Sequence, residues 1–264
     1  MPRLSITTLR KRKQAGEKIA CLTAYDASFA RILDDAGVEI LLVGDSVGMV
    51  VQGRDTTLPV TLEEMIYHAR AVAAGSEQAF LMADMPFLSD ATPAQALASA
   101  GRLMKEGGAQ MVKLEGGMPL LETVRLLGAR GVPVCSHLGL LPQSVHKQGG
   151  YRVQGRDADS ARALREEARA MVAAGADMLL LECVPAELAT AITEAVDVPV
   201  IGIGAGPGVD AQVLVLYDVL GITPGKRPSF SRDFLAGTGD VPAAVAAYVA
   251  AVKAGEFPGP EHSF

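Results

Sequence analysis

Four acidic residues each stand where a short run of apolar residues ends: Asp45, Asp84, Glu115 and Glu182. A fifth run, which starts at Val132, ends on His137 in the same way. Short apolar runs that alternate with helical patterns are typical of buried parallel strands. Because the carboxyl ends of parallel strands meet at one rim, these side chains are expected to converge. Four carboxylates gathered there with a lysine and a histidine indicate a metal-dependent active site.

Asp45 and Asp84 are the best candidates for metal ligands. Hard divalent cations such as Mg²⁺ take oxygen ligands, usually one or two carboxylates together with substrate and water. Glu115 could complete this shell through water. Because only oxygen ligands are in prospect, Mg²⁺ or Mn²⁺ is favoured over Zn²⁺. A single strand-end acid is more often a helix cap or part of a surface ion pair, but four on four different strands favour a metal site.

Lys113 and Ser46 lie beside these acids. Lys113 stands two residues before Glu115, so both side chains are expected to face the barrel interior. It either balances the acids or holds an anionic substrate, and a Schiff-base role is less natural beside a metal. Ser46 follows Asp45 directly, and its hydroxyl and backbone N–H could bind a carboxylate. The alternative for Ser46 is a capping role at the start of a helix.

Glu182 stands apart in sequence from the other three acids. A carboxylate that holds no metal can act as a general base, and this is the role predicted for Glu182. His137 could orient the substrate or stabilise developing charge, or it could be a structural hydrogen-bonding residue. The glycine-rich segment 202–208 lies on the seventh predicted strand and contains Pro207. A glycine-rich floor that leaves room for a ligand, or a tight turn, is therefore favoured over nucleotide binding.

The elements that must position these residues repeat as strand, helix, strand. Eight strands are predicted, at 19–26, 39–46, 79–85, 110–115, 132–138, 177–183, 198–204 and 212–219. Helical patterns include 61–74, 92–106, 119–130, 160–174 and 186–196. Thr61 with Glu64, and Thr92 before Pro93, are plausible helix starts. This order favours a single (β/α)8 barrel over residues 1–264, with a doubly wound open sheet as the alternative.

Two further segments have predicted roles. Residues 141–159 form a longer loop after the fifth strand, and loops of that length are often functional lids. Residues 231–254 resemble terminal helices, and they include the alanine-rich stretch 241–251. These helices are expected to pack on the barrel or on a neighbouring subunit.

Composition excludes several classes of protein. The 264-residue chain has a net charge of −6 and no Trp, which argues against nucleic acid as a main partner. The basic run 10–13 is interpreted as a solvated surface. Three cysteines without close pairing indicate reduced thiols. There is neither a signal-peptide pattern nor an apolar stretch long enough to span a membrane. A cytoplasmic protein without a membrane partner is therefore expected.

Nine motifs then occur in a specific order along the chain: 24–26 (AYD), 43–49 (VGDSVGM), 53–60 (GRDTTLPV), 83–87 (ADMPF), 112–117 (VKLEGG), 137–143 (HLGLLPQ), 149–156 (GGYRVQGR), 181–185 (LECVP) and 201–206 (IGIGAG). The ordered set closely resembles the ketopantoate hydroxymethyltransferase family over essentially the whole chain. The resemblance implies a (β/α)8 barrel of the phosphoenolpyruvate mutase and isocitrate lyase type, assembled as a homodecamer.

The resemblance also implies the reaction. A hydroxymethyl group passes from 5,10-methylenetetrahydrofolate to 3-methyl-2-oxobutanoate, giving 2-dehydropantoate on the route to pantothenate. By motif, the Mg²⁺ site corresponds to Asp45, Asp84 and Glu115. The substrate-binding residues correspond to Asp45, Ser46, Asp84 and Lys113, and the proton acceptor corresponds to Glu182. In this scheme the metal stabilises the enolate formed when C3 of the keto acid loses its proton.

The chain departs from the family pattern at Ser136, at 88–90 and at Ala211, which leaves fine packing and the folate rim in question. One rival interpretation is a Mg²⁺-dependent C–C lyase or phosphonomutase on the same barrel, but the catalytic cysteine of a lid motif is not found. Another rival is a non-catalytic metabolite-binding protein. A protein without activity would have no need for four costly carboxylates on one rim.

Overall fold

Eight parallel strands close into a barrel in the computed structural model, which describes residues 3–223 and 225–264. Each strand pairs with the next one along the chain, and β8 closes the barrel against β1. The strands are β1 Ile19–Thr23, β2 Ile40–Val43, β3 Phe80–Asp84, β4 Met111–Glu115, β5 Val134–Gly139, β6 Met178–Glu182, β7 Val200–Ile203 and β8 Ala211–Leu214. The predicted (β/α)8 barrel is therefore confirmed, and the doubly wound sheet was the wrong alternative.

Helices cover the outside of the barrel. They are α1 Ile6–Gln14, α2 Ala27–Asp35, α3 Val47–Val50, α4 Leu62–Gly75, α5 Pro93–Lys105, α6 Leu121–Ala129, α7 Val145–Gln148, α8 Ala158–Ala174, α9 Ala186–Glu194, α10 Leu216–Val219 and α11 Val241–Ala254. None of the helices in the described ranges is long and apolar enough to cross a membrane.

Local signals in the sequence explain where several of these helices begin and end. Thr61 and Glu64 form a reciprocal capping box at α4, and the Thr92 side chain caps α5 ahead of Pro93. Gly175 ends α8 in the left-handed conformation, with φ +112°. Gly75, the last residue of α4, is needed for close packing, because a β-carbon there would lie 2.2 Å from the Ala27 carbonyl oxygen.

The core lies inside the barrel and between the barrel and its helices. Every residue of β1, β2, β3, β7 and β8 is buried, as expected for parallel strands that are covered on both faces. Tyr248 of α11 is fully buried and donates its hydroxyl proton to one of two carbonyl oxygens, Cys21 at 3.0 Å and Gln212 at 2.9 Å. These contacts fix α11 across the β1–β8 seam.

Three sequence predictions about chain segments need correction. The predicted strand 212–219 ends at Leu214, because Leu216 starts the short helix α10 and donates its N–H to the Thr23 hydroxyl at 2.9 Å. Within 231–254 only α11 is helical, and 231–240 runs through turns. The segment 141–159 is partly ordered as a 3₁₀ turn at Pro142–Ser144 followed by α7 and the start of α8.

The basic run 10–13 is not simply a solvated surface. It lies on α1, at the amino-terminal end of the barrel, where Arg10 pairs with Asp177 at 2.6 Å and Lys13 pairs with Asp210 at 2.8 Å. Arg12 pairs with Glu39, which is 5% exposed. The helix therefore attaches to this end of the barrel through ion pairs.

Candidate active site at the carboxyl ends of the strands

Strand register brings the predicted side chains to one rim of the barrel. Parallel pairing places Asp84 beside Lys113, Glu115 beside His137, and Gly139 beside Glu182. Asp45 lies two residues after Val43, the last residue of β2, and so joins the same edge. The five strands from β2 to β6 are consecutive neighbours in the barrel, which is why residues distant in sequence become one cluster.

Asp45 and Asp84 are in direct contact. The Asp45 backbone N–H donates to Asp84 Oδ2 at 3.0 Å, and both residues are 3% exposed. Burial raises the pKa of Asp45 well above its usual value, and the neighbouring Asp84 and Glu115 carboxylates raise it further. The pKa of Asp84 is also raised by burial, against the opposing effect of the Lys113 ammonium. Ionisation of both carboxylates at once is therefore unfavourable in this buried environment.

Lys113 is a buried cation at the centre of the cluster. Its Nζ lies 3.1 Å from Asp84 Oδ1, 4.0 Å from Glu115 Oε1 and 3.1 Å from His137 Nδ1. Burial lowers the pKa of Lys113, but attraction to the carboxylates of Asp84, Glu115 and Asp45 outweighs burial and raises it overall. A Schiff-base nucleophile needs a neutral amine, so this environment favours charge balance or anion binding instead.

His137 links the cluster to Glu182. Its Nδ1 faces Lys113 and lies 3.5 Å from Glu115 Oε1, while its Nε2 lies 3.2 Å from Glu182 Oε2. The second contact lacks the alignment of a hydrogen bond. Burial and Lys113 lower the pKa of His137, but Glu115 and Glu182 outweigh them and raise it overall. Glu182 has a more open environment than the other acids, since its side chain is 15% exposed against 3% for Glu115.

Ser46 lies at the start of α3 without capping it. Its side chain makes no capping hydrogen bond, and its hydroxyl instead lies 2.8 Å from the Tyr25 hydroxyl. Gly44 makes this close arrangement possible, because a β-carbon there would lie 2.7 Å from Ser46 Oγ. Ser46 is half-buried at the edge of the acid pair, so its hydroxyl is available to a ligand.

The side chains present are compatible with a hard divalent cation. Glu115 Oε1 and Asp84 Oδ1 are buried oxygens without a hydrogen-bond donor among the described residues, although Lys113 lies near both. Across residues 3–223 and 225–264, no three His, Cys, Asp or Glu side chains are grouped closely enough to hold a metal ion by themselves. Mg²⁺ needs only one or two carboxylates beside substrate and water, and Asp45 with Asp84 meets that requirement.

Gln143 is a site residue to which the sequence prediction gave no role. Its side-chain amide donates to Asp45 Oδ2 at 2.8 Å and to the Met85 carbonyl at 2.9 Å, and its backbone N–H donates to Glu115 Oε2 at 2.8 Å. It lies in the loop after β5, 98 residues from Asp45 along the chain. The only signal for it in the sequence is its position directly after Leu141-Pro142 in a matched motif.

A cavity of about 480 Å³ adjoins the cluster at Glu115. The loop that contains α7, the ends of β4 and β5, and the first turns of α8 surround it, with polar side chains that include Lys147, Gln148, Gln154 and Ser160. A volume of this size is typical of a small-molecule site. The glycines of segment 202–208 lie elsewhere and permit close packing, since a β-carbon at Gly208 would meet Thr190 Oγ1 at 2.0 Å.

The fold and the cluster together define a (β/α)8 barrel with acidic residues gathered at the carboxyl ends of its strands, the end at which enzymes of this fold have their active sites. The family model described as ketopantoate hydroxymethyltransferase matches residues 3–260. A relative from Nitrosococcus oceani, named 3-methyl-2-oxobutanoate hydroxymethyltransferase, is 64% identical over 258 residues and covers 98% of each chain. This chain belongs to the ketopantoate hydroxymethyltransferase family.

Solved structures of other proteins share the barrel. Oxaloacetate acetylhydrolase aligns with a TM-score of 0.63 at 17% identity, covering 95% of this chain and 96% of that one. A 2,3-dimethylmalate lyase, described as a member of the phosphoenolpyruvate mutase and isocitrate lyase superfamily, aligns with a TM-score of 0.57 at 18% identity, covering 79% and 80%. These likenesses agree with the (β/α)8 barrel that the sequence predicted and that the strand order shows.

Proposed function

We propose that this protein transfers a hydroxymethyl group from 5,10-methylenetetrahydrofolate to 3-methyl-2-oxobutanoate, giving 2-dehydropantoate for pantothenate biosynthesis. The family to which the chain belongs and the name of its 64% identical relative support this reaction. The structural observation that supports the proposal most strongly is that one of the four acids lies apart from the other three. Asp45, Asp84 and Glu115 are buried around Lys113, whereas Glu182 stands on the far side of His137.

Asp45 and Asp84 would hold a Mg²⁺ ion, with Glu115 as an outer partner through water. When bound, the ion would act as a Lewis acid on the keto oxygen of the substrate. Mn²⁺ has the same preference for oxygen ligands and could substitute. The raised pKa of Asp45 fits this role, because a nearby cation would favour the ionised carboxylate that burial opposes.

Ser46 and Lys113 would bind the carboxylate end of the keto acid. The Ser46 hydroxyl can donate one hydrogen bond and the Lys113 ammonium supplies positive charge. The ammonium already contacts Asp84 Oδ1 and His137 Nδ1. A substrate carboxylate would therefore bind to a cation whose position is fixed before binding.

Glu182 would remove the proton from C3 of the bound keto acid. His137 Nε2 lies 3.2 Å from Glu182 Oε2, and a protonated imidazole there would stabilise the charge of this carboxylate. As the C3–H bond breaks, its electron pair passes into the enolate. C3 then forms the new bond to the one-carbon unit, which is at the oxidation level of formaldehyde. One water supplies the hydroxyl oxygen, and tetrahydrofolate leaves, so that atoms balance without an external oxidant.

The cellular context belongs to the same proposal. Cys21, Cys135 and Cys183 are buried free thiols, which supports a cytoplasmic location where thiols stay reduced. A decameric assembly is proposed from the family resemblance alone. Sedimentation of the purified protein measures the number of subunits directly.

The test of the proposed function is product formation with matched substrates. Purified protein, Mg²⁺ and 5,10-methylenetetrahydrofolate are incubated with 3-methyl-2-oxobutanoate, and products are followed by NMR. The expected result is 2-dehydropantoate, with loss of activity after chelation and recovery on adding Mg²⁺. Phosphonopyruvate and 2,3-dimethylmalate are tested in parallel. Turnover of either of these, with no 2-dehydropantoate from the keto acid, would replace the proposal with a mutase or lyase activity.

A further inference from the structure

Gln143 connects the ends of three consecutive strands. Its side chain donates to Asp45 Oδ2, just beyond β2, and to the carbonyl of Met85, just beyond β3. Its backbone N–H donates to Glu115 Oε2 at the end of β4. Because a primary amide has two N–H donors, both are used on the strand ends. One loop residue thus contacts two of the carboxylates proposed for the metal site.

The loop holds Gln143 in a defined place. Pro142–Ser144 forms a 3₁₀ turn that leads into α7, and the Leu141 N–H donates to the Gln148 side-chain oxygen at 3.2 Å. This contact lies within the loop and involves neither the strand ends nor the acids. Gln143 and Gln148 therefore share a residue type and a loop, but only Gln143 contacts the acids.

The hydrogen bond from Gln143 to Asp45 determines the orientation of the Asp45 carboxylate. Asp45 is buried among like charges, and without a donor its carboxylate has no reason to keep one orientation. The amide of Gln143 fixes Oδ2, which leaves the other carboxylate oxygen for a ligand. The bond to Met85 holds the backbone beside Asp84 at the same time. Mutation of a residue that orients a metal ligand in this way typically lowers the affinity for the metal about 10–100-fold.

We infer that Gln143 is a positioning residue that orients Asp45 and joins the 141–148 loop to the strand ends, and so sets the affinity of the site for the divalent cation and the keto acid. This inference rests on the proposed function for the identity of those ligands. The loop is then part of the binding site rather than a passive connection.

The test compares Gln143→Ala, Gln143→Met and the matched control Gln148→Ala. Gln143→Ala removes both side-chain donors and keeps the backbone contact to Glu115, while Gln143→Met removes the same donors at nearly constant size and adds no charge. Mn²⁺ binding is measured by electron paramagnetic resonance, with and without 3-methyl-2-oxobutanoate and without the folate donor. Thermal melting of each protein shows that it is folded.

The expected result is a Kd for Mn²⁺ that rises about tenfold or more in both Gln143→Ala and Gln143→Met, with less than a twofold rise in Gln148→Ala. A purely structural role of the loop would instead make the Gln148 and Gln143 variants alike, and that outcome would overturn the inference. Wild-type affinity in Gln143→Ala would overturn it as well, while leaving the proposed function standing. Failure of the wild-type protein to bind Mn²⁺ under any condition would overturn the proposed metal site, and the inference with it.

Discussion

The two ends of the barrel hold their acidic residues in opposite ways. At the amino-terminal end, Glu39 pairs with Arg12 and Lys253, and its other oxygen accepts the Ala20 N–H at 2.8 Å. Asp177 and Asp210 repeat this arrangement, because each has a basic partner and each accepts the N–H of a strand residue. Acids at this end are therefore neutralised and hydrogen-bonded.

At the carboxyl-terminal end the acids outnumber their cations. Asp45, Asp84 and Glu115 share Lys113, and His137 stands between Glu115 and Glu182. Buried carboxylate oxygens there lack hydrogen-bond donors among the described residues, and the pKa values of Asp45 and Asp84 are raised. The same residue types therefore stabilise the fold at one end and leave buried negative charge without matching cations at the other.

The largest expected effect comes from Glu182, the acid that the proposal assigns to chemistry. Glu182→Gln keeps the size of the side chain and removes the base, so kcat should fall about 10²–10⁴-fold. Stability should change little because Glu182 is the most open of the four acids. Steady-state kinetics and thermal melting measure both effects. Glu187→Gln, an exposed change on the first turn of α9, is the control, and an equal loss of activity in both variants would contradict a specific role for Glu182.

The next effect concerns the single lysine of the rim. Lys113→Met leaves three buried carboxylates without their cation, and removing one partner of a buried ionic cluster typically costs about 3–5 kcal/mol. The free energy of unfolding, measured in urea, should fall by that amount. Binding of the keto acid should weaken together with it. A variant as stable as the wild type would show that the rim acids do not depend on Lys113.

A smaller effect, on stability and not on activity, is expected at the amino-terminal end of the barrel. Glu39→Gln removes the negative charge that Arg12 and Lys253 share and keeps only one acceptor oxygen for them and the Ala20 N–H, and such a loss costs about 1–3 kcal/mol. The free energy of unfolding should therefore fall, while kcat stays within about twofold of the wild-type value. Denaturant melts and kinetics check the two halves of this prediction. A large loss of activity with intact stability would remove the distinction between the two ends.

The smallest effect is expected when one aspartate at each end of the barrel is replaced by asparagine. In protein without metal, Asp45→Asn should raise the free energy of unfolding by about 1 kcal/mol, because it relieves repulsion at a site built for function. Asp210→Asn should lower it, because Lys13 loses its partner. Urea unfolding in the presence of a chelator measures both. The same sign of change at the two ends would contradict the difference described above.

Much of this organisation was predictable from the sequence. Strand positions follow from local patterns, because short apolar runs between helical patterns mark the buried strands. The polar residue at the end of each run then lies at the rim of the barrel, and alternation along the strand determines which side chains face inward. The basic run at 10–13 was misread because its partners, such as Asp177 and Asp210, are distant in the chain. Gln143 received no role for the same reason. Its contacts depend on how a loop folds back over the barrel, and hydrophobic periodicity contains no information about that.

The proposed mechanism requires the uncompensated acids of the rim to bind a divalent cation and a 2-keto acid so that Glu182 can remove the C3 proton. The most direct measurement is hydrogen–deuterium exchange at C3 of 3-methyl-2-oxobutanoate in deuterated water, followed by NMR without the folate donor. The expected result is exchange that requires Mg²⁺ and disappears in Glu182→Gln. Exchange that is absent in the wild-type protein with Mg²⁺, or that persists unchanged in Glu182→Gln, would contradict the mechanism.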